Sequence, residues 1–164
     1  MALFEEMGRR GVERDTITYN ATISACEKGG QWERAVALFE EMGRRGVERT
    51  FVTYSSLISL CHRSGQSRLS LHFFSQALRE NVIVSPELPW IDLHHFSVAV
   101  SKVAVLFWLE HLQEHSKWGF EHLHIITGIR KDHSTKHPYY HPVIKAHVIV
   151  AYIDHVELVY FRGC

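Results

Sequence analysis

Between Thr16 and Met42 the apolar residues fall into two runs separated by a glycine pair. In Thr16–Lys28, Ile17, Tyr19, Ile23 and Cys26 sit roughly one helical turn apart, and Gly29-Gly30 stops the run. Trp32, Ala35, Val36, Phe39 and Met42 then form a second stripe at spacings of three and four. Both runs predict amphipathic helices that turn one face towards a core. Gly46 ends the second run, and Asn81 takes the equivalent place later in the chain. Both residue types tolerate the left-handed conformation that closes a helix. Glu33, Arg34, Glu40, Glu41, Arg44 and Arg45 occupy the outward positions, an ordinary solvated face.

The pattern is copied as well as periodic. ALFEEMGRRGVER at Ala2–Arg14 recurs letter for letter at Ala37–Arg49, a shift of 35 (37 − 2 = 35). The same shift carries Thr18-Tyr19 onto Thr53-Tyr54, Ile23-Ser24 onto Ile58-Ser59 and Cys26 onto Cys61. A fixed period of this size predicts stacked helical hairpins, each with an apolar face that only a neighbour can bury. Packing alone accepts many alternative residues, so literal identity points to recent duplication. Met1 falls where Val36 falls in the next repeat, inside a helix pattern, and the chain reads as the tail end of a longer array.

Past Ser85-Pro86-Glu87-Leu88-Pro89 the pattern changes, since two prolines this close break helix and favour extended chain. Trp90–His94 reads as a strand. Ser97 fits an N-cap for a long helix through Leu112, ending near Lys117-Trp118-Gly119. Leu123–Gly128 reads as a second strand, and Pro142–Val150 as a second helix with the proline near its first turn. Val156–Phe161 reads as a third strand. The order β-α-β-α-β predicts a two-layer α/β sandwich. Chemistry in open α/β sheets collects at the carboxyl ends of strands, which draws Asp92, His94 and the Thr127–His137 stretch towards one crevice.

Charge and composition narrow the function classes. The 164 residues carry 18 Lys plus Arg against 18 Asp plus Glu, a formal net charge of zero. That argues against strong sequence-independent nucleic-acid binding but leaves room for a local basic groove. Cys26 and Cys61 share one repeat position, a pairing unlike a disulfide framework, and no CxxC spacing suggests zinc. Of 13 histidines, all but His62 and His72 follow residue 85, without a clean zinc spacing. Most read as surface residues. No apolar run is long enough to span a membrane, and the N-terminus lacks a signal-peptide pattern.

The first half, to about residue 84, resembles the pentatricopeptide repeat (PPR) family. The resemblance rests on the period, on TITYNATISACEKGGQWERAVALFEEMGRRGVER and on FVTYSSLISLCHRSGQSRLSLHFFSQALRENV. It implies an α-solenoid of one partial repeat and two whole ones, 15–49 and 50–84. It also implies single-stranded RNA as partner, with about one base read per repeat. The readers it implies are Asn20 with Thr50 and Ser55 with Ser85, and Asp15 for the incomplete repeat. Thr50 and Ser85 depart from the aspartate or asparagine that the family prefers. Capping of helix starts is the alternative role for Asn20 and Ser55.

Residues 88–164 resemble the Smr (small MutS-related) domain, which often follows PPR arrays. The matching motifs are IDLH (Asp92 to His94) and TGIRKDHS (Thr127 to Ser134), with FSVAVSKVAVLFWLEHL in place of the family's first helix. This resemblance implies a nicking endonuclease acting on RNA, or on DNA. On that reading Asp92 holds a divalent metal such as Mg2+ or orients a water, and His94 moves a proton. Thr127, Gly128, Arg130 and Lys131 cradle a phosphate, and His133 contacts a phosphate or protonates the leaving oxygen. The alternatives are that Asp92 caps the following helix and that the whole protein is a catalytically inactive RNA- or protein-binding adapter. The family's second TGxG glycine is absent, with Arg130 or Lys131 in its place, and the domain is expected to be short at its C-terminus. Trp108 and Trp118 read as core, and Lys145 as solvated. The family points to mitochondrion or plastid, with any transit peptide preceding Met1, and otherwise to the cytoplasm. No membrane or small-molecule ligand is expected.

Overall fold

The computed structural model describes residues 2–84, 90–93, 95–114, 122–126 and 143–147. They divide between two compact units, one of Met1–Ser85 with Ser97–Val103, the other of Pro86–Phe96 with Ala104–Cys164.

The first unit is helical: α1 (Ala2–Arg9), α2 (Thr16–Lys28), α3 (Trp32–Arg44), α4 (Phe51–Arg63) and α5 (Ser67–Arg79). Helices α2 and α3 form one hairpin and α4 and α5 the next, with α2 packed on α4 and α3 on α4. The expected stops are in place. Gly30 and Gly46 sit at φ 66° and 67°, and Asn81 at φ 55°. One helical assignment needs correction: Ile17 is not a core residue but is 75% exposed, as is half of its repeat equivalent Val52. Tyr19 and Ile23 are fully buried on the adjoining face. Ile17 stands two residues before Tyr19, which puts the two side chains about 200° apart on a helix. The thiols are core groups; burial pushes Cys61 up to about 11 and raises Cys26 as well, so neither is a ready nucleophile.

An interlock recurs at each copy of the duplicated segment. The Arg49 guanidinium lies 4.0 Å from the Phe39 ring centroid and donates two hydrogen bonds to the Phe39 carbonyl, at 3.2 and 3.0 Å. Phe39 in turn meets Tyr54 edge-on at 5.1 Å. One repeat earlier, Arg14 lies 4.2 Å from the Phe4 centroid and Phe4 meets Tyr19 at 5.2 Å. The glycine at each copy leaves room for the guanidinium: a Cβ on Gly43 would come within 2.1 Å of Arg49 Nη2, and one on Gly8 would overlap Arg14. Each arginine also meets an acid, Arg14 with Glu41 at 3.1 Å and Arg49 with Glu80 at 3.5 Å. The Tyr19 and Tyr54 hydroxyls are buried beside those carboxylates without a well-formed hydrogen bond. Burial first, and then the carboxylate, raises both phenol pKa values.

In the remainder, β1 (Trp90–Asp92) pairs in parallel with β2 (His122–Ile126), and β3 (Val143–His147) pairs antiparallel with β2, giving the order β1-β2-β3. Helix α6 (Val98–Glu114) lies between β1 and β2 in sequence, and Ser97 caps it by accepting from the Val100 amide at 3.3 Å. Trp108 is buried, as a core residue should be. Within the stretch Pro142–Val150 expected to be a helix, Val143–His147 form the strand β3, and the other residues of that stretch lie outside the described residues. Val143 and Ile144 are β-branched, which lowers helix propensity and suits a pleated surface. The described order is therefore β-α-β-β; the strand expected at Val156–Phe161 and Trp118 lie outside the described residues.

The interlock predicts a reversal of sign. Gly→Ala within a helix ordinarily stabilises by about 0.5–1 kcal/mol. Gly43→Ala should instead destabilise the helical unit by about 1–2 kcal/mol, because Arg49 must leave both the Phe39 ring and its carbonyl. In an Arg49→Ala background the same change should regain its ordinary stabilising sign. Urea midpoints of the four proteins in that double-mutant cycle give the coupling directly, and additive effects would rule the interlock out.

Candidate functional site

Of the expected readers, Asn20 and Ser55 lie on the first helix of each hairpin, and Asp15 and Thr50 are the N-caps of those helices. Asp15 is the N-cap of α2: its Oδ1 accepts from the Thr18 amide at 2.8 Å and from the Thr18 hydroxyl at 2.7 Å. These bonds favour the charged carboxylate and hold its pKa below the ordinary aspartate value. Asp15 therefore has a capping role that needs no ligand.

Asn20 and Thr50 are brought together. Asn20 Nδ2 donates to Thr50 Oγ1 at 3.2 Å, while Asn20 Oδ1 accepts from Thr53 Oγ1 at 2.5 Å. Thr50 begins α4 and forms a capping box with Thr53, its amide donating to Thr53 Oγ1 at 3.0 Å. Farther along, the Ser24 and Ser56 hydroxyls meet at 3.3 Å, so a polar seam joins α2 to α4. Ser59, the repeat equivalent of Ser24, meets Ser97 at 3.0 Å in the same fashion. Ser55 is half-buried, and its hydroxyl has no hydrogen-bond partner among the described residues.

Two further pairs obey the repeat shift. Ile17 and Val52, 75% and 51% exposed, stand three residues before Asn20 and Ser55, one turn away on the same helix face. Lys28 and Arg63 end α2 and α4, each eight residues after its reader (28 − 20 = 63 − 55 = 8). The Arg63 side chain is 61% exposed and 3.9 Å from Glu27. Ile17 and Val52 were not legible as site residues, because spacing alone does not tell an exposed apolar residue from a core one, and Thr53 was not, because its partner Asn20 stands on another helix. The available signal was that Ile17 and Val52 share a repeat position out of step with the buried stripe.

Farther along the chain, Asp92 ends β1 in register with Ile126 of the parallel strand β2, so the carboxyl ends of both strands lie side by side. The Asp92 side chain is exposed. Ser85, His94, Thr127, Gly128, Arg130, Lys131 and His133 lie outside the described residues. Among the described residues no three His, Cys, Asp or Glu side chains cluster as a metal site, and no helix is long and apolar enough to cross a membrane.

Comparison with known proteins agrees with the helical unit. The PPR repeat family matches residues 14–63, and the PPR repeat matches residues 52–82. Residues 14–82 thus carry pentatricopeptide repeats. No curated protein matches the chain. Among solved structures, it is similar to the pentatricopeptide repeat protein PPR10 in complex with an 18-nt psaJ RNA element, at 23% identity and a TM-score of 0.48, covering 73% of this chain. A cysteine-substituted form of PPR10 with the same RNA element matches equally. The chain spans 20% of the length of those proteins.

The Asp15 cap makes a pH prediction. Its folded-state pKa is depressed, so its contribution is present above the ordinary aspartate pKa and is lost as pH falls through the lower, folded-state value. Asp15→Asn keeps an acceptor and loses the charge. The stability gap between the two proteins should therefore be largest near neutrality and close in acid; a gap independent of pH would show that the charge contributes nothing.

Proposed function

We propose that the repeats bind single-stranded RNA along the faces of α2 and α4. The observation that carries this reading is the pairing, at two repeat-equivalent places, of an exposed aliphatic side chain with a polar one a single turn later: Ile17 with Asn20, Val52 with Ser55. An apolar surface supports the flat face of an unstacked base, and a neighbouring amide or hydroxyl meets its edge. Lys28 and Arg63 supply a cation at the same interval from each reader, which suits a backbone with one phosphate per nucleotide. Zero net charge limits non-specific affinity, so binding depends on these local groups.

A second reading concerns residues 88–164 as an Smr-like module that nicks RNA or DNA. It is supported by the parallel β1–β2 pair, whose register sets Asp92 beside Ile126, immediately before Thr127. In this reading Asp92 orients the attacking water and His94 accepts its proton. Thr127, Gly128, Arg130 and Lys131 hold the phosphate, and His133 protonates the leaving oxygen. A divalent ion such as Mg2+ would add Lewis acidity, held by Asp92 with ligands from outside the described residues. The rival is an adapter that binds RNA or protein without cutting. Action in a mitochondrion or plastid belongs to the same proposal.

RNA binding is tested by fluorescence anisotropy with randomised single-stranded RNA across a salt series. Lys28→Ala with Arg63→Ala should weaken binding for all sequences and flatten the slope of log K against log salt by about 0.7 per lost contact. An unchanged slope would remove both cations from the interface, and no binding at low salt would reject the RNA reading.

Cleavage is tested on labelled RNA and DNA with and without Mg2+. Asp92→Asn should slow cutting roughly 30- to 1,000-fold, or about 2–4 kcal/mol in barrier, while leaving binding intact. Absence of cutting by the unsubstituted protein would reject the nuclease reading.

A further inference from the structure

Asn20, Thr50 and Thr53 close a ring of hydrogen bonds, and its direction can be worked out. The contact between Thr53 Oγ1 and Asn20 Oδ1 is 2.5 Å, an O–H···O length too short for an amide donor, whereas the 3.2 Å contact to Thr50 Oγ1 suits N–H···O. The amide is thereby oriented, oxygen towards Thr53 and nitrogen towards Thr50. With the Thr53 proton given to Asn20, the 3.3 Å contact between the two threonine hydroxyls has Thr50 as donor. The Thr50 amide also donates to Thr53 Oγ1 at 3.0 Å. Thr53 is fully buried and its hydroxyl is saturated, so it cannot itself meet a ligand. Asn20 keeps one unused hydrogen on Nδ2 and one unused lone pair on Oδ1.

We propose that Thr53 is a positioning residue for recognition by Asn20: it fixes the amide so that a base meets the remaining Nδ2 hydrogen and the remaining Oδ1 lone pair in one fixed orientation. The ligand edge selected is one whose acceptor or donor matches that fixed orientation. This rests on the RNA-binding reading given above. Without Thr53 the amide could turn over and exchange the places of its NH2 and its oxygen, and discrimination between acceptor and donor edges would fall.

The repeat shift shows why this applies to one site. Thr18, equivalent to Thr53, spends both its amide and its hydroxyl on Asp15. One period beyond Thr53 stands Leu88 (53 + 35 = 88), whose side chain has no hydrogen-bonding group, so the sequence offers Ser55 and Ser85 no such third member.

The test selects randomised single-stranded RNA on the full chain, on Asn20→Ala, and on Thr53→Val and Thr53→Ser, followed by sequencing of the bound fraction. Asn20→Ala identifies the nucleotide that faces the ring by erasing its base preference. Thr53→Val keeps the shape and removes the hydroxyl; it should reduce that preference about 5- to 10-fold, leaving other positions and overall affinity within about two-fold. Thr53→Ser should restore the preference. Retained preference in Thr53→Val, equal loss at every position, or no preference at any nucleotide in the unsubstituted protein would each overturn the role of Thr53 while leaving RNA binding intact. Failure of the unsubstituted protein to bind RNA at all would reject the RNA reading itself and this inference with it. If Thr53→Val does not fold, NMR of the unsubstituted chain still decides: one Asn20 Nδ2 proton should be protected from solvent exchange, and two freely exchanging protons would overturn the ring.

Discussion

The ring of Phe39 is where the helical unit is joined. It meets Tyr54 at 5.1 Å and Phe73 at 5.2 Å, both edge-on, with Arg49 stacked 4.0 Å from its centroid. Edge-to-face geometry places the positive rim of one ring against the negative face of another, and the guanidinium meets that same negative surface. One side chain thus links the second helix of a hairpin to both helices of the next and to the segment between them. Gly43 is the condition for this, since only a missing Cβ lets Arg49 lie close to α3.

The duplicated segment supplies the phenylalanine, glycine and arginine of this interlock: Phe4, Gly8 and Arg14 in one copy, Phe39, Gly43 and Arg49 in the other. The acid comes from a different repeat position in each copy. Glu41 faces Arg14, and under the repeat shift it becomes Gln76; Arg45 becomes Glu80, which faces Arg49 in its stead. A carboxylate is retained beside each largely buried guanidinium because an unpaired charge there would be costly. Glutamate and glutamine cooperate at the second copy, where Gln76 donates to Glu80 at 2.8 Å.

Once hairpins are fixed in this way, α2 and α4 must run alongside, and the polar seam follows. Serine and threonine side chains fill it, with Ser24–Ser56 and the Asn20–Thr50–Thr53 ring as its described members. The exposed Ile17 and Val52 are left on the outer side because Tyr19 and Tyr54 have taken the inward direction. The candidate interface is thus a consequence of how the tyrosines pack.

Period, helix limits and helix stops were determined by the sequence alone. The bounds of α2 and the left-handed Gly46 and Asn81 follow from local preferences and from a 35-residue identity that no tertiary contact alters. The residues around Trp90–Asp92 and His122–Ile126 were legible as strands for the same local reason. Val143–His147 was not, because a short β-branched run carries no periodicity that separates helix from strand, and only pairing with β2 settles it. Tertiary structure alone also decided which polar residues touch. Asp15 and Asn20 look alike as helix-start residues, yet one is consumed by its own helix's first turn and the other by residues 30 and 33 positions away. That difference depends on α4 standing beside α2, a distance set by packed aromatic rings and not written in any local stretch of chain.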